Sequence, residues 1–152
     1  MTNETNKAII FDSGALISFS MNGITDILRD LKKIFGGKFL ITAQIKEEII
    51  DRPLKIKRFQ LEALKLNQLL NEKVLELPGS MGIEDGEISK MTQEILDFAN
   101  SAFSANGKDL HIMDLGEASG LALSRILREK NIKNVMVIDE RTTRVLAEKP
   151  EN

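Results

Sequence analysis

The sequence predicts an α/β fold in which a central, mainly parallel sheet of four or five strands lies between two layers of helices. Three observations predict it. Short, continuous apolar runs of strand length alternate with longer segments of helical periodicity. Two of those runs, Ile9-Ile10-Phe11 and Val137-Ile138, are each followed at once by an aspartate. The 152 residues, 42 % apolar and 29 % charged, suit one domain spanning 1–152 with a single core.

The elements follow in order. Ala8 to Phe11 reads as a buried parallel strand, ended by Asp12-Ser13-Gly14. Residues 15–34 read as helical with a break near Asn22-Gly23, and Ile24, Ile27, Leu28, Leu31 and Ile34 have amphipathic spacing. Gly36-Gly37 stops that helix. Lys38 to Ile41 is a second strand, and Thr42 is an N-cap for a helix over 43–50 that Pro53 breaks. A long helical pattern covers 54–72, Val74 to Leu77 reads as a third strand, and 78–82 is a loop. Helices over 87–105, ended by Asn106-Gly107, and over 115–130 precede a fourth strand, Val135 to Ile138. Arg141 to Glu148 reads as a final short helix.

Composition excludes several chemistries. Without cysteine there is no disulfide framework, thiolate zinc site or cysteine nucleophile. The polar start, MTNETNK, has no apolar signal-peptide core, and no apolar run approaches the roughly 20 residues needed to span a bilayer. A cytoplasmic location without membrane attachment is therefore expected. The net charge of −2 is not that of a basic nucleic-acid binder, unless the acidic residues are gathered in a metal site. With no Trp or Tyr and seven Phe, stacking on aromatic rings is not expected to carry base binding.

The carboxylates carry the chemistry. In an open parallel sheet the carboxyl ends of the strands share one edge, where such folds place their sites, so Asp12 and Asp139 are expected there together. Each alone is also accounted for as a helix N-cap. Glu117 falls in the first turn of a helix, favoured there by the helix dipole, and Asp114-x-x-Glu117 has capping-box spacing. A functional role requires Glu117 to face Asp12. Glu48 lies beside the Ile45/Ile49 face of its helix and Glu47 is more exposed; a solvated acidic pair is the simpler account of both. Converging carboxylates repel one another, and a hard divalent cation such as Mg²⁺, bound through oxygen, relieves that repulsion. Such a cation also supplies what phosphodiester hydrolysis needs: an oriented, acidified water and charge stabilisation at phosphorus.

In order along the chain stand a strand into Asp12-Ser13, then Ile41-Thr42-x-x-Ile45-x-x-Glu48, then Asp114-x-Gly116-Glu117-Ala118, then Val137-Ile138-Asp139-Glu140-Arg141. This series resembles the PIN-domain nucleases, and the D-x-G-E-A block resembles one archaeal and bacterial branch of them. The resemblance implies a three-layer α/β/α domain, an acidic pocket for Mg²⁺ or Mn²⁺, and endonucleolytic cutting, most often of single-stranded RNA. It implies catalytic roles for Asp12, Glu48, Glu117 and Asp139, with Asp12, Glu117 and Asp139 as metal ligands and Glu47 as a less favoured register for Glu48. Ser13 and Asp114 take supporting roles in this reading. Arg141, Arg144 and Arg125 are candidates to hold flanking phosphates, though a solvated helix face explains them equally well. His111 reads as a loop residue. The chain departs from the family pattern at Val137, where a Thr or Ser is common, and in lacking the usual last strand. A missing strand leaves an edge that a homodimer would cover.

Two other readings of the same fold are a non-catalytic PIN-like module binding nucleic acid or protein, and a toxin-type ribonuclease held by an antitoxin. Other acidic α/β enzymes fit less well. A haloacid-dehalogenase-type phosphatase needs an aspartate where Gly14 stands, a phosphate-receiver domain needs a lysine after a late strand, and no P-loop or G-x-G-x-x-G fingerprint is present.

Overall fold

The computed structural model describes residues 6–104 and 113–138. Strand β1 (Lys7–Phe11) leads into helix α1 (Ser13–Met21), then α2 (Thr25–Phe35) and β2 (Lys38–Leu40). Thr42 starts α3 (Ala43–Lys46), which widens into a π-turn over Glu47–Asp51. Two 3₁₀ turns, Pro53–Lys55 and Lys57–Phe59, precede α4 (Gln60–Asn71). A 3₁₀ turn (Pro78–Met81), α5 (Asp85–Ser104), α6 (Leu115–Glu129) and β3 (Lys133–Val137) follow.

The fold is α/β, with a three-stranded parallel sheet in the order β2-β1-β3. Side-chain alternation along β1 gives the sheet two buried faces. Phe11 joins a core with Leu16, Phe39, Ile45, Ile50, Leu66 and Leu69, beneath α1 to α4. Ala8 and Ile10 join the opposite core with Ile88, Leu123 and Leu127, beneath α5 and α6. Helices therefore cover both faces.

Four or five strands were expected, and three occur among the described residues. The predicted third strand, Val74 to Leu77, reaches β2 by one parallel bridge, Leu40 to Glu76. Its backbone bonds are Glu76 N–H to Phe39 O at 2.8 Å and Ile41 N–H to Glu76 O at 3.1 Å. The segment is hemmed in. Lys73 enters it at φ 61°, and Pro78 opens the next 3₁₀ turn, so no further ladder bond forms. The helix expected over 54–72 also differs: Ile56 is extended (φ −113°, ψ 110°), and α4 starts only at Gln60. The predicted stop at Asn106-Gly107, the final helix from Arg141 and the residues His111, Asp139, Arg141 and Arg144 lie outside the described residues. Among the described residues no helix is long and apolar enough to cross a membrane.

Candidate functional site

Parallel strands bring the ends of β1 and β3 to one edge. The register pairs Phe11 with Val137, and the Asp12 N–H donates to Val137 O at 3.0 Å. The chain immediately after β3 thus leaves the sheet beside Asp12. On the other side, the chain leaving β2 turns at Thr42 into α3.

Asp12 stands at the N-cap of α1 with extended backbone (φ −77°, ψ 160°), yet its side chain makes no capping hydrogen bond. It is 5 % exposed. Burial pushes its carboxyl above the ordinary carboxylate value. The backbone N–H groups of Ser13 and Gly14 pull it down, and the charges of Asp114 and Glu48 push it up again. Asp12, Glu48 and Asp114 are therefore electrostatic neighbours, although they come from three separate stretches of chain. Among the described residues none of the three takes part in a salt bridge.

Glu48 is held at both oxygens. Ser13 Oγ donates to Oε2 at 2.6 Å, and Gln44 Nε2 donates to Oε1 at 3.2 Å. The π-turn, marked by Arg52 N–H bonding to Glu47 O at 3.0 Å, carries Glu48 toward the sheet edge. Glu47 faces outward with Arg52 at 3.9 Å. Glu48, unlike Glu47, accepts from the Ser13 hydroxyl next to Asp12, and its charge contributes to raising the Asp12 carboxyl.

Asp114 caps α6: its Oδ1 accepts from Glu117 N–H at 2.7 Å. Glu117, in the first turn of α6, is 9 % exposed. Gly116 lets this turn pass Glu48, since a Cβ there would stand 2.6 Å from Glu48 Oε2. Arg125 is exposed, pairs with Glu129 at 3.6 Å, and lies about 12 Å along α6 from Glu117 at the usual rise per residue. The fold does not gather it with the carboxylates.

Two contributors were not singled out from the sequence. Ser119 bonds Thr42 across the sheet edge (Oγ to Oγ1, 2.6 Å) and donates to Gly116 O at 2.7 Å, tying α6 to the start of α3. Thr42 also caps α3, accepting from Ile45 N–H at 3.2 Å. Gln44 orients Glu48. The signal for Ser119 was present: it lies three residues after Gly116, inside the D-x-G-E-A-S block.

The carboxylates that neighbour Asp12, those of Glu48 and Asp114, offer oxygen donors, the kind a hard cation such as Mg²⁺ or Mn²⁺ takes, and these rather than Glu117 are the leading charges that act on Asp12. Of the three expected ligands, Asp12 and Glu117 are described and Asp139 is not. Among the described residues no group of three His, Cys, Asp or Glu side chains is placed to hold a metal ion.

No family model and no solved structure matches the chain. The chain is similar to a curated Arabidopsis thaliana protein described as "Probable fatty acyl-CoA reductase 5", 27 % identical over 160 aligned positions. That match covers 95 % of this chain and 32 % of the other, so the chain spans about a third of that relative's length.

Proposed function

We propose that the chain is a PIN-type, Mg²⁺- or Mn²⁺-dependent endonuclease acting on single-stranded RNA. The observation that carries this reading is Asp12. It is a buried carboxyl at a strand end that forms no side-chain cap hydrogen bond of ordinary geometry, is raised by burial and by the charges of two further carboxylates more than the Ser13 and Gly14 N–H groups lower it, and has no salt-bridge partner among the described residues. Such an arrangement is unfavourable by itself and becomes favourable with a cation bound. When bound, the cation supplies Lewis acidity for phosphodiester hydrolysis.

The chain's own residues do the rest. Asp12 and Glu117, with Asp139 following β3, offer ligand oxygens. Glu48, fixed at both oxygens by Ser13 and Gln44, completes the acidic wall. Asp114 fixes the first turn of α6 and with it the backbone of Glu117. Gly116 keeps space open beside Glu48.

One observation favours a second reading, a non-catalytic module of the same fold: no three-residue metal group forms among the described residues. The similarity to a reductase does not favour a third. The turn from β1 to α1 carries the single Gly14, not a glycine-rich cradle, and places Asp12 where a dinucleotide's pyrophosphate would have to approach.

End-labelled single-stranded RNA and DNA, incubated with Mn²⁺, Mg²⁺ or EDTA, test the reading. Metal-dependent cutting that disappears in both Asp12→Asn and Asp139→Asn supports it. No cutting together with no Mn²⁺ binding selects the non-catalytic module. A small protein that co-purifies with the chain and suppresses the cutting would add the toxin–antitoxin relationship.

A further inference from the structure

The two ends of the sheet carry opposite charge. Asp12, Glu48 and Asp114 gather at the carboxyl end. At the other end, about 16 Å away along β1 at the usual strand rise, each strand of the sheet opens with a lysine: Lys7, Lys38 and Lys133. The register sets Lys7 directly opposite Lys133, an unfavourable pairing of like charges, and sets Lys38 opposite Ala8.

Two clefts flank this row. One, of about 470 Å³, is lined by Lys32, Lys33, Lys38 and Lys73. The other, of about 440 Å³, is lined by Arg128, Asn131 and Lys133. Lys7 joins them. Its strand partner is Lys133, its ammonium lies 4.8 Å over the Phe35 ring, and its carbonyl oxygen would stand 2.6 Å from a Cβ placed on Gly37, a residue of the first cleft. Among the described residues the one carboxylate lining either cleft is Glu76, which is already paired with Lys38 at 3.1 Å.

Helix ends explain part of this charge. Helices α2, α4 and α6 all finish at this edge, and a helix C-terminus carries roughly half a negative charge that a nearby cation offsets. Yet Lys7, Lys32, Lys33, Lys73, Arg128 and Lys133 form no salt bridge among the described residues, and those half-charges offset only a minority of them. The overall charge of −2 thus conceals a basic edge, and contact with a polyanion is governed by such a stripe more than by the total.

We infer that this basic edge binds the phosphate backbone of an RNA strand, without regard to base sequence, at the end of the sheet opposite the carboxylates. The row of lysines spans about 10 Å across three strands, wider than one phosphate group and suited to successive phosphates of a chain. Lysine ammoniums act on phosphate as point charges and read no base. The choice of RNA as the strand rests on the proposed function; the binding edge itself does not require that the chain cut anything.

The test uses the full chain in EDTA, where nothing is cut, and follows the fluorescence anisotropy of a short end-labelled RNA of mixed sequence over a range of KCl. Combining Lys7→Gln, Lys33→Gln and Lys133→Gln is expected to weaken binding about tenfold at low salt and to flatten the slope of log affinity against log salt by roughly two. The same three positions changed to Arg are expected to keep wild-type binding, which separates lost charge from lost packing. Combining Lys55→Gln, Lys57→Gln and Arg58→Gln removes as much charge from an exposed turn outside both clefts and is expected to change little. An equal loss in the two Gln variants would overturn the inference, because net charge alone would then explain binding. Inorganic phosphate that binds as tightly as RNA would overturn it in favour of a single-anion site. Phosphatidylserine vesicles that bind through these lysines while RNA does not would overturn it in favour of a membrane surface. RNA binding lost only in the edge variant of a chain that cuts nothing with Mn²⁺ would keep the basic edge and overturn the nuclease reading instead.

Discussion

Asp12 and Asp114 occupy the same kind of place. Each stands one residue before a helix in extended backbone, at φ −77° and ψ 160° for Asp12 and φ −82° and ψ 170° for Asp114. From sequence, each is accounted for as an N-cap. The structure separates them. Asp114 is exposed and caps its helix with a 2.7 Å bond to Glu117 N–H; Asp12 is buried, forms no such capping bond although the Ser13 and Gly14 N–H groups stabilise its charge, and feels the charges of Glu48 and Asp114. An aspartate before a helix has a local use, and Asp114 takes it. Where the local use is taken only weakly and the group is buried beside other carboxylates at some energetic cost, a non-local role becomes the better account.

Substituting the two residues in parallel separates their roles most directly. Asp12→Asn is expected to lower metal-dependent RNA cutting by at least about a hundredfold. Asp114→Ala is expected to lose about 1 kcal/mol of stability with the cap, seen as a lower urea midpoint, and to retain far more cutting. If Asp114→Ala proves the more damaging to catalysis, the roles assigned here are reversed.

Gly116→Ala tests the position of Glu48. The added methyl would meet Glu48 Oε2 at 2.6 Å, and that oxygen is already held by Ser13. Glu48 has to move, and cutting is expected to fall by roughly tenfold or more, because a small misplacement of an active-site group has large kinetic consequences. The helix itself loses nothing, since Ala is the better helix former. Thermal unfolding that stays near wild type while cutting drops is the expected pattern; unchanged cutting would place Glu48 outside the machinery.

Much of this was legible in the sequence, and the limits have physical causes. Strand runs ending in Asp12 and in Val137-Ile138 identified the shared sheet edge, because parallel strands align their carboxyl ends. The choice of Glu48 over Glu47 followed from helical spacing, although the turn carrying it proved to be a π-turn. The strand at Val74 was over-read. An apolar run shows that a segment is buried, and the left-handed Lys73 and the following Pro78 decide how many ladder bonds it makes. Helix α2 shows the same limit. Ile27, Leu28, Leu31 and Ile34 have amphipathic spacing, yet only Leu28 is buried, because periodicity defines a face without naming what covers it. The Thr42–Ser119 bond spans 77 residues, and no local pattern announces such a pair.

Stability should respond to pH more modestly. Asp12 has a folded-state pKa raised above its ordinary 3.8, by burial first and then by Asp114 and Glu48. A raised pKa means that the folded state holds the proton more tightly than the unfolded state does. The stability from Asp12 is thus fully present below about pH 3.8 and is lost as the pH rises through the raised value. In EDTA, Asp12→Asn should therefore unfold at a higher urea concentration than wild type at pH 7, and the gap should shrink as the solution is acidified. Adding Mn²⁺ at pH 7 should close or reverse the gap, since a cation at 100 times its Kd stabilises the folded state by about 2.7 kcal/mol. A gap that ignores both pH and Mn²⁺ would mean that Asp12 is an ordinary buried polar group, and the contrast with Asp114 would lose its functional meaning.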